Sequence, residues 1–297
     1  MNLSGCYTAI VTPFRNGEVD YITLRKLVQR QIAGGVTGLV PVGTTGESPT
    51  LSFSEHNKVI EYVANLAAGK CQVIAGTGGN STSEAIELSK FAAGIGVDAT
   101  LQVTPYYNKP TPEGLYRHFC TIADASGLPV VLYNVPGRTG RDIPVDLVAR
   151  LARHPLMMAV KEAGGSVERV SAILDACEIT VLSGDDGLTL PMMAVGAKGV
   201  ISVASNVVPA EVSAMTAAAL AGDYATATGL HQRLFPLFRD LFLESNPIPV
   251  KAALADLGLM TEEYRLPLCE MAAANRDKLR LTLKNLGLDL SPAGKNK

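Results

Sequence analysis

The chain of 297 residues contains no tryptophan, and only 5% of its residues are aromatic and 18% charged. Lysine and arginine total 26 against 28 aspartates and glutamates, a formal charge of −2, with no run of one sign and no basic face interleaved with aromatics. Nucleic acid and anionic membrane surfaces are therefore not expected partners. No apolar run approaches the roughly 18 residues that a bilayer-spanning helix needs. The first 20 residues read as a short strand and a turn rather than a signal peptide, so a cytoplasmic protein is expected. Five cysteines (Cys6, Cys71, Cys120, Cys177, Cys269) stand singly with no Cys-x-x-Cys pair, which fits reduced thiols filling a core. The four histidines (His56, His118, His154, His231) show no HxH, HxxxH or HExxH spacing, and no carboxylate cluster is spaced for a cation. No metal is expected.

What is present is a regular alternation. With 47% hydrophobic residues, the chain is long enough to bury a large core. Short apolar runs at 6–11, 38–42, 72–75, 99–103, 130–133, 157–160, 179–182 and 199–203 end in Gly, Pro, Thr or Asn, and each precedes a stretch with helical spacing. The continuous apolar character of these runs predicts strands buried on both faces. Ser52-x-x-Glu55 and Ser81-x-x-Glu84 read as capping boxes, and Pro112 and Pro144 suit a first helical turn. Eight strand-helix units in about 210 residues predict an α/β fold, a closed (β/α)8 TIM barrel. An open dinucleotide-binding sheet would carry a glycine fingerprint after its first strand, and the sequence there is TPFRNGE. Residues 1–222 are read as the barrel and 223–297 as a C-terminal helical extension, with a break at Asn246-Pro247-Ile248-Pro249.

In such a barrel the chemistry sits where strands end at their C-terminal side. After the second run comes Gly43-Thr44-Thr45-Gly46-Glu47-Ser48, two hydroxyls between glycines that let backbone amides approach a small carboxylate; a tight turn with local caps is the plainer reading. Tyr106 and Tyr107 follow the fourth run, and Tyr133 and Arg138 mark the end of the fifth. A phenol at a strand end can pass protons, and the arginine fork matches a carboxylate. Lys161 ends the sixth run, where a lysine points into the barrel mouth; desolvation disfavours an ammonium, and a neutral amine can form a Schiff base with a carbonyl. Gly76-Thr77-Gly78-Gly79 lacks the residues of a Walker loop and reads as a turn. Asp185 and Asp186 read as caps meeting backbone amides rather than metal ligands.

GLVPVGTTGESPTLSFSE (38–55) and YNVPGRTGRDI (133–143) followed by VKEA (160–163) resemble the two signatures of the dihydrodipicolinate synthase and N-acetylneuraminate lyase family, and the likeness extends through TPYYN and GVISV over essentially the whole chain. The resemblance implies a class I aldolase that binds pyruvate as an imine on Lys161. The first threonine of GTTGE, Arg138 and Tyr107 match the branch that condenses pyruvate with aspartate semialdehyde to 4-hydroxy-tetrahydrodipicolinate, on the way to diaminopimelate and lysine; a lyase or aldolase for sugar acids is the alternative. It implies a proton relay of Thr44, Tyr133 and Tyr107, the last reaching in from a neighbouring subunit of a homo-oligomer, usually a tetramer. Thr45 is implied to hold the pyruvate carboxylate, Arg138 the semialdehyde carboxylate, and Gly184 and Ile201 to line the pyruvate pocket through their backbone. No cofactor is implied, since the imine is itself the electron sink. Ser48, His56, Asn80, Glu84 and Tyr106 match a feedback site for L-lysine, while Phe53 and Pro49 depart from one lysine-sensitive pattern.

Overall fold

The first strand, β1 (Gly5–Ala9), is followed by a two-stranded hairpin, β2 (Phe14–Arg15) and β3 (Glu18–Val19), in this computed structural model, which describes residues 1–291. Residues 292–297 of the expected extension lie outside the described residues. The remaining strands are β4 (Gly38–Val40), β5 (Gln72–Gly76), β6 (Ala99–Val103), β7 (Val130–Asn134), β8 (Met157–Glu162), β9 (Thr180–Ser183) and β10 (Gly199–Ser202). All except the hairpin pair in parallel and close in the order β1-β10-β9-β8-β7-β6-β5-β4, with β1 bonded to both β10 and β4. This is the expected (β/α)8 barrel. The hairpin was not foreseen; its turn places Asn16 and Gly17 at positive φ, as a two-residue hairpin turn requires.

Helices α1 (Tyr21–Ala33), α2 (Phe53–Ala67), α3 (Thr82–Gly94), α4 (Pro112–Ser126), α5 (Pro136–Thr139), α6 (Val145–Leu151), α7 (Val167–Ala176), α8 (Thr189–Ala194) and α9 (Pro209–Leu220) surround the barrel. Ser52 and Glu55 form both bonds of a capping box, whereas Ser81 caps α3 by accepting from Glu84 N alone. Pro112 opens α4 behind the Thr111 cap, but Pro144 stands one residue earlier than expected, at the cap of α6. Three helices follow: α10 (Tyr224–Asp240), α11 (Ile248–Asp256) and α12 (Ala273–Asn285). Leu234, Leu237, Phe238, Ile248 and Val250 of these helices share one buried cluster with Ile10, Phe14 and Leu24, so the C-terminal helices pack directly on the barrel. Cys6 fills the core as expected, but Cys269 lies exposed between α11 and α12. Among the described residues no helix is long and apolar enough to cross a membrane.

The strand pleat sorts side chains between two cores. Val131 and Tyr133 of β7, Ala159 of β8, Leu182 of β9 and Ile201 of β10 fill the barrel interior, while Val130, Leu132 and Val160 pack against the helices. Gly38 of β4 makes room for this interior: a Cβ there would stand 2.7 Å from the Tyr7 ring. The inward set runs up β8 to its end, and that end carries the lysine.

Candidate active site

Lys161 lies two residues beyond Ala159, so the pleat aims it along the barrel interior toward the mouth. It is in register with Tyr133 on β7 and Leu182 on β9, and its Nζ stands 4.1 Å from the centre of the Tyr133 ring. Both side chains are buried, at 5% and 6% exposure. The lysines that form ion pairs among the described residues are Lys251 and Lys278, not Lys161, so its amine has no carboxylate within 4.0 Å. That arrangement does not match a structural lysine paired with a barrel acid.

A cavity of about 150 Å³ opens over the lysine and is lined by Thr44, Thr45, Tyr133, Arg138, Lys161 and Gly184 among others. Residues separated by as much as 140 positions in sequence thus meet because each ends a barrel strand or begins the turn after it. Thr44 and Thr45 sit on a 3₁₀ turn after β4 that ends at Glu47, whose φ of 55 is left-handed. Arg138 stands exposed on the short helix α5. Gly184 approaches so closely that a Cβ would lie 3.0 Å from Lys161 Cε and 2.7 Å from the Ala163 methyl. A side chain at 184 would therefore displace the lysine.

Two expected residues lie elsewhere. Ile201 is 1% exposed in the barrel packing and does not line the cavity; Val203, one pleat nearer the mouth, does. Tyr107 is 91% exposed, at a φ of 68, and does not line the cavity of its own chain. The cavity also contains side chains that sequence reasoning passed over. Phe242 and Asn246, from the segment between α10 and α11, form part of its wall. Only the break at Asn246-Pro247-Ile248-Pro249 signalled that this segment was unusual.

Buried charge holds the mouth in shape. Glu162, fully buried beside the lysine, accepts from Asn134 Nδ2 at 3.0 Å, Gly164 N at 2.7 Å and Arg169 Nε at 2.9 Å. Asp186 accepts from Ser202 Oγ, Val203 N and Ala204 N, fixing the end of β10, while Asp185 accepts from Gly187 N. The two aspartates thus meet backbone amides as expected. Burial pushes the Asp186 carboxyl up, against the opposing pull of those hydrogen bonds. Among the described residues no group of three or more His, Cys, Asp or Glu side chains is arranged to hold a metal ion.

A second cavity, of about 170 Å³, is lined by Ser48, His56, Glu84 and Tyr106, together with Pro49 and Phe53. Asn80 is not in its lining; its carbonyl accepts from Asn108 Nδ2 at 2.9 Å. The structure therefore brings most of the expected lysine-site residues together and leaves Asn80 at the side. His56 is buried, its Nδ1 without a hydrogen-bond partner among the described residues, and burial pushes it down to about 4. His118, whose Nδ1 lies 2.8 Å from Thr82 Oγ1, is likewise pushed down to about 4 by burial. An unfolded histidine titrates near 6.5, so below that pH the unfolded chain takes up protons that the folded chain refuses. Stability from these two residues is complete above about pH 6.5 and is lost toward pH 4, at up to ~2.7 kcal/mol per pH unit for the pair. Urea midpoints measured across that range should fall, and His118→Gln should remove roughly half of the slope attributable to the pair. A flat midpoint from pH 7 to about 5 would contradict the assignment.

The chain matches the model of the Dihydrodipicolinate synthetase family over residues 2–286. It is 51% identical over 287 residues to a 4-hydroxy-tetrahydrodipicolinate synthase of Methanococcus maripaludis strain C6, covering 96% of this chain and 99% of that one. Its structure superposes with a TM-score of 0.95 on the 4-hydroxy-tetrahydrodipicolinate synthase of Methylacidiphilum fumariolicum SolV, which is 50% identical, with 96% of each chain covered. A dihydrodipicolinate synthase from Cyanidioschyzon merolae, crystallised with lysine bound, is 42% identical and superposes at 0.93, with 96% of this chain and 99% of that one covered.

Proposed function

The chain belongs to the dihydrodipicolinate synthetase family, and on that premise we propose that it condenses pyruvate with L-aspartate 4-semialdehyde to 4-hydroxy-tetrahydrodipicolinate. The observation that carries this reading is the buried amine of Lys161, without an ion pair among the described residues, in a cavity that also holds Thr44, Thr45, Tyr133 and Arg138. The Lys161 amine attacks the keto carbon of pyruvate, and loss of water leaves an imine. Removal of a methyl proton gives an enamine whose carbon adds to the aldehyde. The amino group of the adduct then displaces Lys161, which closes the ring and frees the enzyme. The imine accepts the electron pair, so the cycle balances without a cofactor.

Tyr133 lies against the Lys161 amine and is placed to carry protons during dehydration and enamine formation, with Thr44 beside it. Tyr107 completes the relay from a second copy of the chain. Its near-complete exposure and its absence from its own cavity support that role, which makes a dimer the smallest active unit of a homotetramer. Thr45 holds the pyruvate carboxylate, Arg138 the carboxylate of the semialdehyde, and the backbone at Gly184 walls the pyruvate. The enzyme works in the cytoplasm, in lysine and diaminopimelate synthesis. L-Lysine binds the cavity of Ser48, His56, Glu84 and Tyr106 as a feedback inhibitor; its family relative with lysine bound supports this reading, as does the convergence of those side chains.

The test is pyruvate consumption with aspartate semialdehyde beside N-acetylmannosamine under identical conditions. Turnover with the semialdehyde alone is expected. Turnover with the sugar alone would overturn the acceptor assignment and the role of Arg138. Lysine titrated into the same assay should lower the rate, and an unchanged rate at millimolar lysine would sink the feedback site.

A further inference from the structure

Thr45 comes from the turn after β4 and Arg138 from the short helix α5 after β7, two strands that are not neighbours in the barrel, yet one residue touches both. Asn246, 6% exposed in the segment between α10 and α11, donates from Nδ2 to Thr45 Oγ1 at 2.9 Å. Its backbone carbonyl accepts from Arg138 Nη2 at 3.2 Å. Among the described residues these are the side-chain hydrogen bonds of Thr45 and Arg138, and neither has another. Lys251, on the helix that Asn246 leads into, also binds Glu47 at the end of the Thr45 turn, so the same stretch of chain grips that turn twice.

The direction of the first bond matters. An amide N–H on Thr45 Oγ1 occupies an acceptor position of the hydroxyl, so the hydroxyl hydrogen must point elsewhere. Thr45 lines the cavity, so its hydroxyl hydrogen is free to be offered there, where a donor suits an anion. We propose that Asn246 is a positioning residue for both substrates: its amide presets the Thr45 hydroxyl as a donor to the pyruvate carboxylate, and its carbonyl holds the Arg138 fork over the semialdehyde carboxylate. This rests on the roles of Thr45 and Arg138 proposed above. The C-terminal segment is thereby a functional wall of the site, and its asparagine acts through residues that the barrel supplies.

The isosteric change Asn246→Asp separates this role from simple packing. A carboxylate can only accept, so it turns the Thr45 hydroxyl away from the cavity and adds negative charge where two anionic substrates bind. The experiment compares Asn246→Ala, Asn246→Asp, Thr45→Val and the Thr45→Val/Asn246→Ala double variant by KM for each substrate, kcat, melting temperature and borohydride trapping of pyruvate. Loss of one hydrogen bond in Asn246→Ala should raise KM for pyruvate about tenfold, with trapping at saturating pyruvate close to the parent. Asn246→Asp should be worse, by about a further tenfold, although it keeps the shape. The double variant should match Thr45→Val alone, because the two changes remove one interaction. The inference is overturned alone if Thr45→Val raises KM for pyruvate while the Asn246 variants leave both KM values unchanged, if aspartate is better tolerated than alanine, or if the effects simply add. An unchanged KM for pyruvate in Thr45→Val overturns the Thr45 assignment and the inference with it.

Discussion

Replacing Lys161 by alanine is expected to lower kcat/KM by at least about 10⁴-fold while leaving the melting temperature near that of the parent. Among the described residues Lys161 is the one amine in the cavity lining, and it sits where the pleat of β8 delivers it, beside Tyr133 and against Gly184. Among the described residues no ion pair is lost on truncation, so the fold has little reason to respond. Lys161→Arg should be as inactive, because a guanidinium stays protonated and cannot add to a ketone. Steady-state assays together with thermal melts decide the matter. More than about one part in a hundred of the parent activity in Lys161→Ala would assign the nucleophile to another group.

Lys251→Met should cost about 3–5 kcal/mol of stability, because it strands the Glu47 carboxylate in a site from which water is excluded. Both partners are 0% exposed, and Lys251 Nζ binds Glu47 Oε1 while lying 4.4 Å from the centre of the Phe14 ring. Burial pushes the Lys251 ammonium down, and Glu47 pulls it back up. Among the described residues Glu47 Oε2 accepts a single hydrogen bond, from Arg265 N at 3.3 Å, while the Arg265 guanidinium is paired with Glu55. The double variant Glu47→Gln/Lys251→Met should recover much of the loss, since no charge is then left buried alone. Urea unfolding of the two variants checks both statements. A change below about 1 kcal/mol in Lys251→Met would show that the pair is not the fastening it looks to be.

Much of the barrel was legible because its strands are buried on both faces, which makes them short continuous apolar runs bounded by turn residues. The run at 99–103 coincides with β6, and the others differ from their strands by a residue or two at the ends. The hairpin was not legible. Its strands are two residues long and carry the charged Arg15 and Glu18, so no apolar pattern announces them. Lys161, Tyr133 and the two threonines were legible for the reason that the barrel itself was: chemistry at the mouth must come from the ends of strands. Ile201 lies one pleat too deep, and its identity gave no hint that Val203 would form the wall. Asn246 was hidden by distance. It meets Thr45 across 201 residues of sequence, and an asparagine before a proline reads only as the end of a helix. Glu47 and Lys251 were hidden in the same way, since neither half of a buried pair signals the other.

The proposed chemistry turns on one bond, the imine between Lys161 and pyruvate. The most direct measurement is to incubate the protein with pyruvate and borohydride, digest it and locate the modified residue by mass spectrometry. One reduced pyruvate on the peptide containing Lys161, absent from Lys161→Ala, is the predicted result. An adduct on a different lysine, or none at all with the protein folded and pyruvate saturating, would contradict it.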